Sequence, residues 1–260
     1  MATSKLNLAR ARVLISNDDG IEAPGLKALE KVMRGLTREV WVIVPETEQR
    51  ATGHSLTLRR PLRIRKVSKR KHAIDGTPTD SVLLGVTEVM KDTPPDIVLS
   101  GINRGGNIGE DVTYSGTVAA AMEGTLLGIP SVALSQVYFD GRNVRWATAE
   151  HWLERVLKML LTADWPAGVL MNVNFPAVNA SAVTGIEVCR QGRRKIGGEL
   201  QHGTDPRGES YFWIGAQRNE ERFHAGTDLD AVERGAIAVT PLSMDLTHGP
   251  TLKRMKAKWS

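Results

Sequence analysis

The 260-residue sequence contains almost no cysteine and no long apolar run. Its single cysteine, Cys189, excludes an internal disulfide framework and a cysteine-rich zinc site. No segment approaches the roughly 20 apolar residues that cross a bilayer, and the opening MATSKLNLARAR lacks the apolar core of a secretory signal. The composition, 41% hydrophobic and 24% charged, is typical of a globular protein, so we expect a cytoplasmic protein that does not contact membranes.

Acidic residues are absent from one segment, 59–71, which carries eight basic residues. The alternation of Leu62 and Ile64 with arginines predicts a half-buried strand with a basic outer face. Two interpretations are open: a solvated edge strand protected by its charges, or a positive surface that attracts polyanions. The segment has no zinc-ligand spacing and no interleaved aromatic residues, so we expect no dedicated nucleic-acid binding.

Apolar strand patterns alternate with helical patterns over most of the chain. The predicted strands lie at 12–16, 39–44, 96–100, 131–135 and 168–176. The predicted helices lie at 24–36, 79–91, 116–128 and about 144–163, with Thr79 or Asp80 as the cap of the second. Repeated strand–helix units of this kind predict an α/β fold with a doubly wound, mostly parallel sheet whose core spans 11–184.

The pattern changes at about residue 185, and we interpret 185–260 as a β-rich extension of the same single domain. Its predicted strands lie at 185–190, 210–215 and 236–242. The polar stretch 191–209 predicts a long loop. The middle strand carries Tyr211, Phe212 and Trp213, more aromatic area than a lone hairpin hides, so we expect the extension to take part in contacts between subunits.

Three loops follow predicted strands and carry polar side chains. The first loop holds Asp18 and Asp19, the second loop is 45–55, and the third loop is 100–121. In a doubly wound sheet, ligands bind beyond the carboxyl ends of the strands, so these loops are expected to meet. The third loop supplies Asn103 and several glycines before it enters a helix of small residues.

The two adjacent aspartates need a partner, because like charges about 4 Å apart repel by roughly 4 kcal/mol at an effective dielectric of about 20. Carboxylate and amide oxygens are hard ligands that suit Mg²⁺ or Mn²⁺. Ser115 and Thr117 open the following helix, and the free N–H groups of a helix start favour a bound phosphate. Asp18, Asp19 and Asn103 therefore indicate a divalent metal site for phosphoryl chemistry. The alternative is a structural pair, such as an Asx turn before Gly20.

Several standard nucleotide and hydrolase motifs do not fit the sequence. The glycines of the third loop do not form G-x-G-x-x-G, and Asn107 stands where a P-loop requires lysine. The adjacent acids differ from the D-x-D of haloacid dehalogenase-type phosphatases, and no G-x-S-x-G elbow is present.

Four segments closely resemble the SurE (stationary-phase survival) family: SNDDGIEAPGL at 16–26, GTPTDSVLLGV at 76–86, PDIVLSGINRGGNIGEDVTYSGTVAAAMEG at 95–124 and TPLSMDLT at 240–247. The resemblance implies a Rossmann-like core and a 5'/3'-nucleotidase that acts on nucleoside monophosphates, with some members also cleaving short polyphosphate. It implies one divalent ion per subunit, Mg²⁺ or Mn²⁺, and a homodimer or homotetramer that exchanges C-terminal elements.

The resemblance also implies roles for individual residues. The implied metal ligands are Asp18, Asp19 and Asn103. The implied phosphate-binding residues are Asn103, Gly105, Ser115, Gly116 and Thr117. The implied catalytic residues are Asp18 and Asp19, one of which would orient the attacking water, with Asp245 and His248 as helpers.

The sequence departs from the family pattern in the second loop, where Arg50 stands at the position of a serine that ligates the metal in relatives. Arginine has no acceptor atom and cannot ligate a cation. We expect its guanidinium to pair with Glu46 or Glu48 in preference to clamping a phosphate, and Thr52 and Ser55 are the first two hydroxyls after it in the loop. An alternative function follows from this change: a nucleotide- or polyanion-binding protein with impaired turnover.

Overall fold

A computed structural model of the protein describes residues 6–139, 142–196, 200–214, 218–219 and 224–259. Its strands are β1 (Arg12–Ser16), β2 (Glu39–Pro45), β3 (Ile64–Ser68), β4 (Lys71–Ile74), β5 (Ile97–Arg104), β6 (Ser131–Gln136), β7 (Val169–Phe175), β8 (Ile186–Val188), β9 (Lys195–Ile196), β10 (Leu200–Thr204), β11 (Ser210–Ile214), β12 (Arg218–Asn219) and β13 (Ile237–Ser243). Its α-helices are α1 (Pro24–Leu36), α2 (Pro78–Leu84), α3 (Gly116–Leu126), α4 (Trp146–Thr162), α5 (Asp228–Glu233) and α6 (Gly249–Trp259).

Nine of these strands form one sheet, in the order β3-β4-β2-β1-β5-β6-β7-β13-β8. The six strands from β4 to β7 run parallel, whereas β3 and β13 lie antiparallel to their neighbours β4 and β7. The prediction of an α/β fold with a mostly parallel sheet is therefore confirmed. Because β1 lies in the middle of the sheet, its carboxyl end opens between the loops that follow β2 and β5.

Helices cover both faces of the sheet, as the alternation along β1 shows. Val13 and Ile15 are fully buried in a cluster with residues of α1 and α4, whereas Leu14 is buried in a second cluster with residues of α2 and α3. Successive side chains of a strand point to opposite faces, so a strand covered on both sides is apolar throughout. The continuous apolar runs of β1 and β2 have this cause.

The predicted helix at 79–91 differs from the structure at both ends. Thr77 caps α2, accepting a hydrogen bond from the backbone of Asp80, while the Asp80 carboxylate accepts one from the backbone of Thr77. The prediction of Thr79 or Asp80 as the cap was therefore wrong, because Pro78 begins the helix, as proline commonly does. After α2 the chain continues as a π-helical turn, Gly85–Val89.

The extension contributes to the main sheet, because β8 and β13 form its last two strands. The stretch predicted as a loop at 191–209 contains β9 and β10, and β10 pairs with β11 in a separate hairpin; residues 197–199 of that stretch lie outside the described part. The sequence prediction omitted α5 and α6, and α6 has no buried residue.

Among the described residues, no helix is long and apolar enough to cross a membrane.

The basic segment 59–71 forms the edge strand β3, and every residue of β3 is exposed. The prediction that this strand is half-buried was wrong: β3 lies at the edge of the sheet, and each of its five residues is exposed. Four arginines of the segment form ion pairs with acids: Arg60 and Arg63 with Asp75, Arg65 with Glu46 and Arg70 with Glu39. This local neutralisation favours the solvated-edge interpretation over a polyanion surface.

Candidate metal centre

Asp18 is buried directly beyond the end of β1, with 4% of its surface exposed. Its carboxylate accepts a hydrogen bond from the Thr117 hydroxyl, and its carbonyl oxygen accepts one from the Gln49 backbone at 2.7 Å. Burial, and secondarily the charge of Asp19, raise the pKa of Asp18 to about 7. A carboxylate in this position is costly to ionise unless a cation joins it.

Asp19 connects the first loop to the third. One of its carboxylate oxygens accepts a hydrogen bond from the backbone N–H of Arg104 at 3.1 Å, and the other forms an ion pair with Arg50 at 3.3 Å. The Arg104 contact brings the Asp19 carboxylate to the residue that follows Asn103. The structure therefore places both aspartates beside the end of β5.

Asn103 lies within β5. The sequence analysis had placed it in the third loop, and that placement was wrong. Its amide nitrogen donates to the carbonyl oxygen of Gly105 at 2.9 Å, which leaves its amide oxygen without a hydrogen bond in the described structure. Gly105 adopts a φ of +119°, a conformation that favours glycine, and this turn returns its carbonyl to Asn103. Asn103 can thus offer an oxygen ligand beside Asp19.

The chemistry of these donors fits Mg²⁺ or Mn²⁺. Two carboxylates and one amide oxygen are hard ligands, and they leave room for water or a phosphate oxygen in a six-coordinate shell. Within the described residues, no group of three or more His, Cys, Asp or Glu side chains could hold a metal ion.

The start of α3 faces the same aspartates. The Ser115 hydroxyl accepts a hydrogen bond from the Val118 backbone at 3.0 Å and caps the helix. A Cβ atom added to Gly116 would stand 2.7 Å from the Asp18 Cβ and 3.1 Å from an Asp18 carboxylate oxygen. Only glycine allows this approach, so the start of α3, where first-turn N–H groups lack helical partners, lies directly against Asp18.

We expect Gly116→Ala to lower kcat/KM for a nucleotide substrate by about tenfold or more, because the added methyl group must displace Asp18 or the helix start. Gly35→Ala in α1 is the matched control, since a Cβ at Gly35 meets no atom within 4 Å. Both variants are compared by steady-state kinetics and thermal denaturation. Wild-type kinetics for Gly116→Ala would mean that the helix start does not position Asp18 for catalysis.

The second loop lies against the first, and it carries Arg50. The guanidinium of Arg50 pairs with Glu48 at 2.6 Å, in agreement with the sequence prediction, and also with Asp19, which was not predicted. Glu46 instead pairs with Arg65 of β3. The Thr52 hydroxyl donates to the Gln49 carbonyl at 3.0 Å and so stays within its own loop.

His54 and Glu123 form a contact that the sequence analysis did not identify. His54 Nε2 lies 2.9 Å from an oxygen of Glu123, which is buried on α3. The pair connects the second loop to the helix that faces Asp18. The signal in the sequence is the single acid within the run AAAMEGTLL at 119–127, but its partner lies 69 positions away and no local pattern identifies it.

A buried asparagine holds the third loop in place. The backbone N–H of Asn107 donates to Asn174 and its side chain donates to Ser135, both at 2.8 Å. Its carbonyl oxygen accepts from Asn172 at 2.7 Å and from Asn174 at 3.1 Å. Asn107 thereby fixes the third loop to β6 and β7, and this structural role accounts for a buried polar side chain here.

Asp245 and His248 do not join the aspartates within one subunit. They follow β13, whose last residue, Ser243, pairs with the first residue of β7, Val169. β7 runs parallel to β1, so its first residue lies at the amino-terminal ends of the parallel strands, whereas Asp18 lies at their carboxyl ends. The end of β13 and Asp18 are therefore at opposite ends of the strands. Both residues are exposed. The structure therefore does not bring these two predicted residues to the aspartates of the same chain.

Comparison with known proteins agrees with this architecture. The family described as Survival protein SurE matches residues 13–198. The chain is 64% identical to a protein named 5'-nucleotidase SurE from Paramagnetospirillum magneticum, covering 94% of each chain, and 53% identical to one from Rhodospirillum rubrum, covering 96% of each. The crystal structure of SurE from Aquifex aeolicus superposes with a TM-score of 0.82 at 38% identity, covering 96% of this chain and 100% of that one. This protein belongs to the SurE family.

Proposed function

We propose that the protein is a metal-dependent phosphatase that hydrolyses nucleoside 5'-monophosphates, and also 3'-monophosphates, to nucleoside and phosphate. The observation that carries the proposal is the buried Asp18 beside Asp19, facing the start of α3. Relatives named 5'-nucleotidase over nearly the whole chain support the substrate class. The loss of turnover considered as an alternative has no support from these relatives.

Asp18, Asp19 and Asn103 would hold the divalent ion. When bound, the ion neutralises phosphoryl charge and activates a water molecule for attack on phosphorus. The Thr117 hydroxyl donates to one carboxylate oxygen of Asp18, and the other oxygen would serve as a metal ligand or orient the attacking water. The free N–H groups at the start of α3, at Gly116 and Thr117, bind the phosphate oxygens and fix the phosphorus for in-line attack.

The proposal is tested by phosphate release from a panel of nucleoside 5'- and 3'-monophosphates and short polyphosphate, in Mn²⁺, in Mg²⁺ and in a chelator. We expect turnover of at least one nucleoside monophosphate that the chelator abolishes and the metal restores. Binding of nucleotides without phosphate release in any metal would instead support the non-enzymatic alternative.

We also propose that the protein is a homodimer or homotetramer whose C-terminal extension lies between subunits. Large apolar side chains of the β10–β11 hairpin and of α6 are exposed: Leu200, Tyr211, Phe212, Trp213, Ile214, Leu252, Met255 and Trp259. Exposure of this kind marks contact surfaces. An exchange of these elements would also bring Asp245 and His248 toward another subunit.

The oligomer predicts a specific result in sedimentation. Wild-type protein is expected to sediment as a dimer or tetramer across micromolar concentrations, and replacement of Phe212 and Trp213 by serine should shift it toward the monomer. The two side chains are 59% and 67% exposed in the single chain, so the substitution should not lower the stability of the fold itself. A monomeric wild type at all these concentrations would contradict the oligomer.

A further inference from the structure

We infer that Arg50 is an internal counter-cation of the metal centre, which pairs with Asp19 and competes with the divalent ion for that carboxylate. The inference rests on the proposed function, since it takes Asp18 and Asp19 as the residues that bind the ion. It assigns Arg50 a role in setting the metal concentration at which the enzyme becomes active.

The contacts of Arg50 carry the inference. Its terminal nitrogen lies 3.3 Å from an oxygen of Asp19, and its Nε lies 2.6 Å from an oxygen of Glu48. The Asp19 side chain is 9% exposed and that of Arg50 is 48% exposed, so the arginine reaches from solvent into the site. Among the described residues, no other basic side chain forms an ion pair with Asp18 or Asp19.

Charge explains why the arginine and the ion exclude each other. The guanidinium offsets the repulsion between Asp18 and Asp19 when no metal is bound. It cannot lose its charge in a protein, so a divalent ion on the same carboxylate meets a fixed positive neighbour. Repulsion between the two cations is weakened by solvent around the half-exposed guanidinium and by its pairing with Glu48, so we expect it to lower metal affinity by about tenfold.

Glu48 gives the displaced arginine a second position. Because different nitrogens of Arg50 hold Asp19 and Glu48, the guanidinium can give up Asp19 and keep Glu48 with only a small rotation. Removal of the Glu48 charge leaves Asp19 as the one acid paired with Arg50. Glu48→Gln should therefore strengthen the hold of Arg50 on Asp19 and weaken metal binding, the opposite of removing Arg50.

The inference is tested by calorimetric titration of Mn²⁺ into the full-length protein. We expect the Kd for Mn²⁺ to fall about tenfold in Arg50→Ala, which removes the charge without adding a hydroxyl ligand, to fall at least as far in Arg50→Ser, and to rise in Glu48→Gln. The matched control is Arg65→Ser, because Arg65 pairs with Glu46 at 2.7 Å and is 53% exposed, but does not contact either aspartate. Its Kd should equal that of the wild type.

Thermal denaturation gives a readout independent of turnover. Without metal, Arg50→Ser should unfold at a lower temperature than the wild type, because Asp18 and Asp19 lose their cation. Mn²⁺ should then raise the Tm of Arg50→Ser by more than it raises the Tm of the wild type. Equal Kd values for Mn²⁺ in the wild type and Arg50→Ser would overturn the role of Arg50 but not the metal centre. A fall in the Kd of Arg65→Ser as large as that of Arg50→Ser would have the same meaning. Absence of Mn²⁺ binding in both wild type and Arg50→Ser would contradict the metal centre and this inference together.

Discussion

Asp18→Asn and Asp19→Asn are each expected to lower kcat/KM for a nucleoside monophosphate by about a thousandfold or more. Each substitution removes a charged oxygen from a site that holds only two carboxylates. The amide that replaces it has a neutral oxygen and binds a divalent ion more weakly. The measurement is phosphate release in excess Mn²⁺, with circular dichroism to show that the variants remain folded.

Asp92→Asn serves as the control for this loss of charge. Asp92 is exposed and precedes β5. It therefore lies near the amino-terminal ends of the parallel strands, whereas the aspartates lie at their carboxyl ends. Its substitution should leave kcat/KM unchanged. Full activity in both Asp18→Asn and Asp19→Asn would reject these residues as metal ligands.

The same substitution at Asp18 should make the metal-free protein more stable at neutral and higher pH. Burial raises the pKa of Asp18 to about 7, above the value of about 4 for an unfolded aspartate. A raised carboxyl pKa means that the folded state loses stability as pH rises from about 4 through about 7. Asparagine cannot ionise, so Asp18→Asn should gain up to a few kcal/mol at pH 8, and denaturant titrations should show the gain shrinking toward pH 4.

Arg194→Met is expected to cost about 3–5 kcal/mol of unfolding free energy and to lower turnover as well. Arg194 forms an ion pair with Asp111, and the two side chains are only 6% and 4% exposed. Removal of the arginine takes from this buried carboxylate a cationic partner that is itself buried. Asp111 also accepts, through its carbonyl oxygen, a hydrogen bond from Ser115 at the start of α3, so the disturbance reaches the phosphate-binding helix.

A double substitution separates charge from packing in this prediction. Arg194→Met combined with Asp111→Leu removes both charges, and buried ion pairs replaced in this way often recover most of the lost stability. Arg193→Met is the control, because Arg193 is exposed beside the buried arginine. Urea denaturation measures all of these variants. A cost below about 1 kcal/mol for Arg194→Met would show that the pair contributes little.

Local sequence patterns predicted the elements around the aspartates well. The continuous apolar runs of β1 and β2 and the amphipathic α1 lie within a residue of their predicted bounds, because each buries a face against the same core. The motif with Asp18 and Asp19 predicted a site at a strand end, and the structure has both residues there. Asn103 was identified but assigned to a loop, since its glycine-rich surroundings obscure the continuation of β5.

The remaining features depend on partners that are far apart in the chain. Arg50 contacts Asp19 across 31 positions and Arg194 contacts Asp111 across 83, so no local spacing reveals either pair. α6 was missed for a different reason: its apolar face consists of only Leu252, Met255 and Trp259 among basic residues, and none of its residues is buried in its own chain.

The position of a bound Mn²⁺ ion in crystals of this protein, located by its anomalous scattering, tests the metal centre most directly. We predict one peak per subunit between Asp18 and Asp19, with their carboxylate oxygens and the amide oxygen of Asn103 about 2.0–2.3 Å away, and with the guanidinium of Arg50 displaced from Asp19 toward Glu48. A Mn²⁺ peak bound elsewhere, with none between the two aspartates, would contradict the assignment.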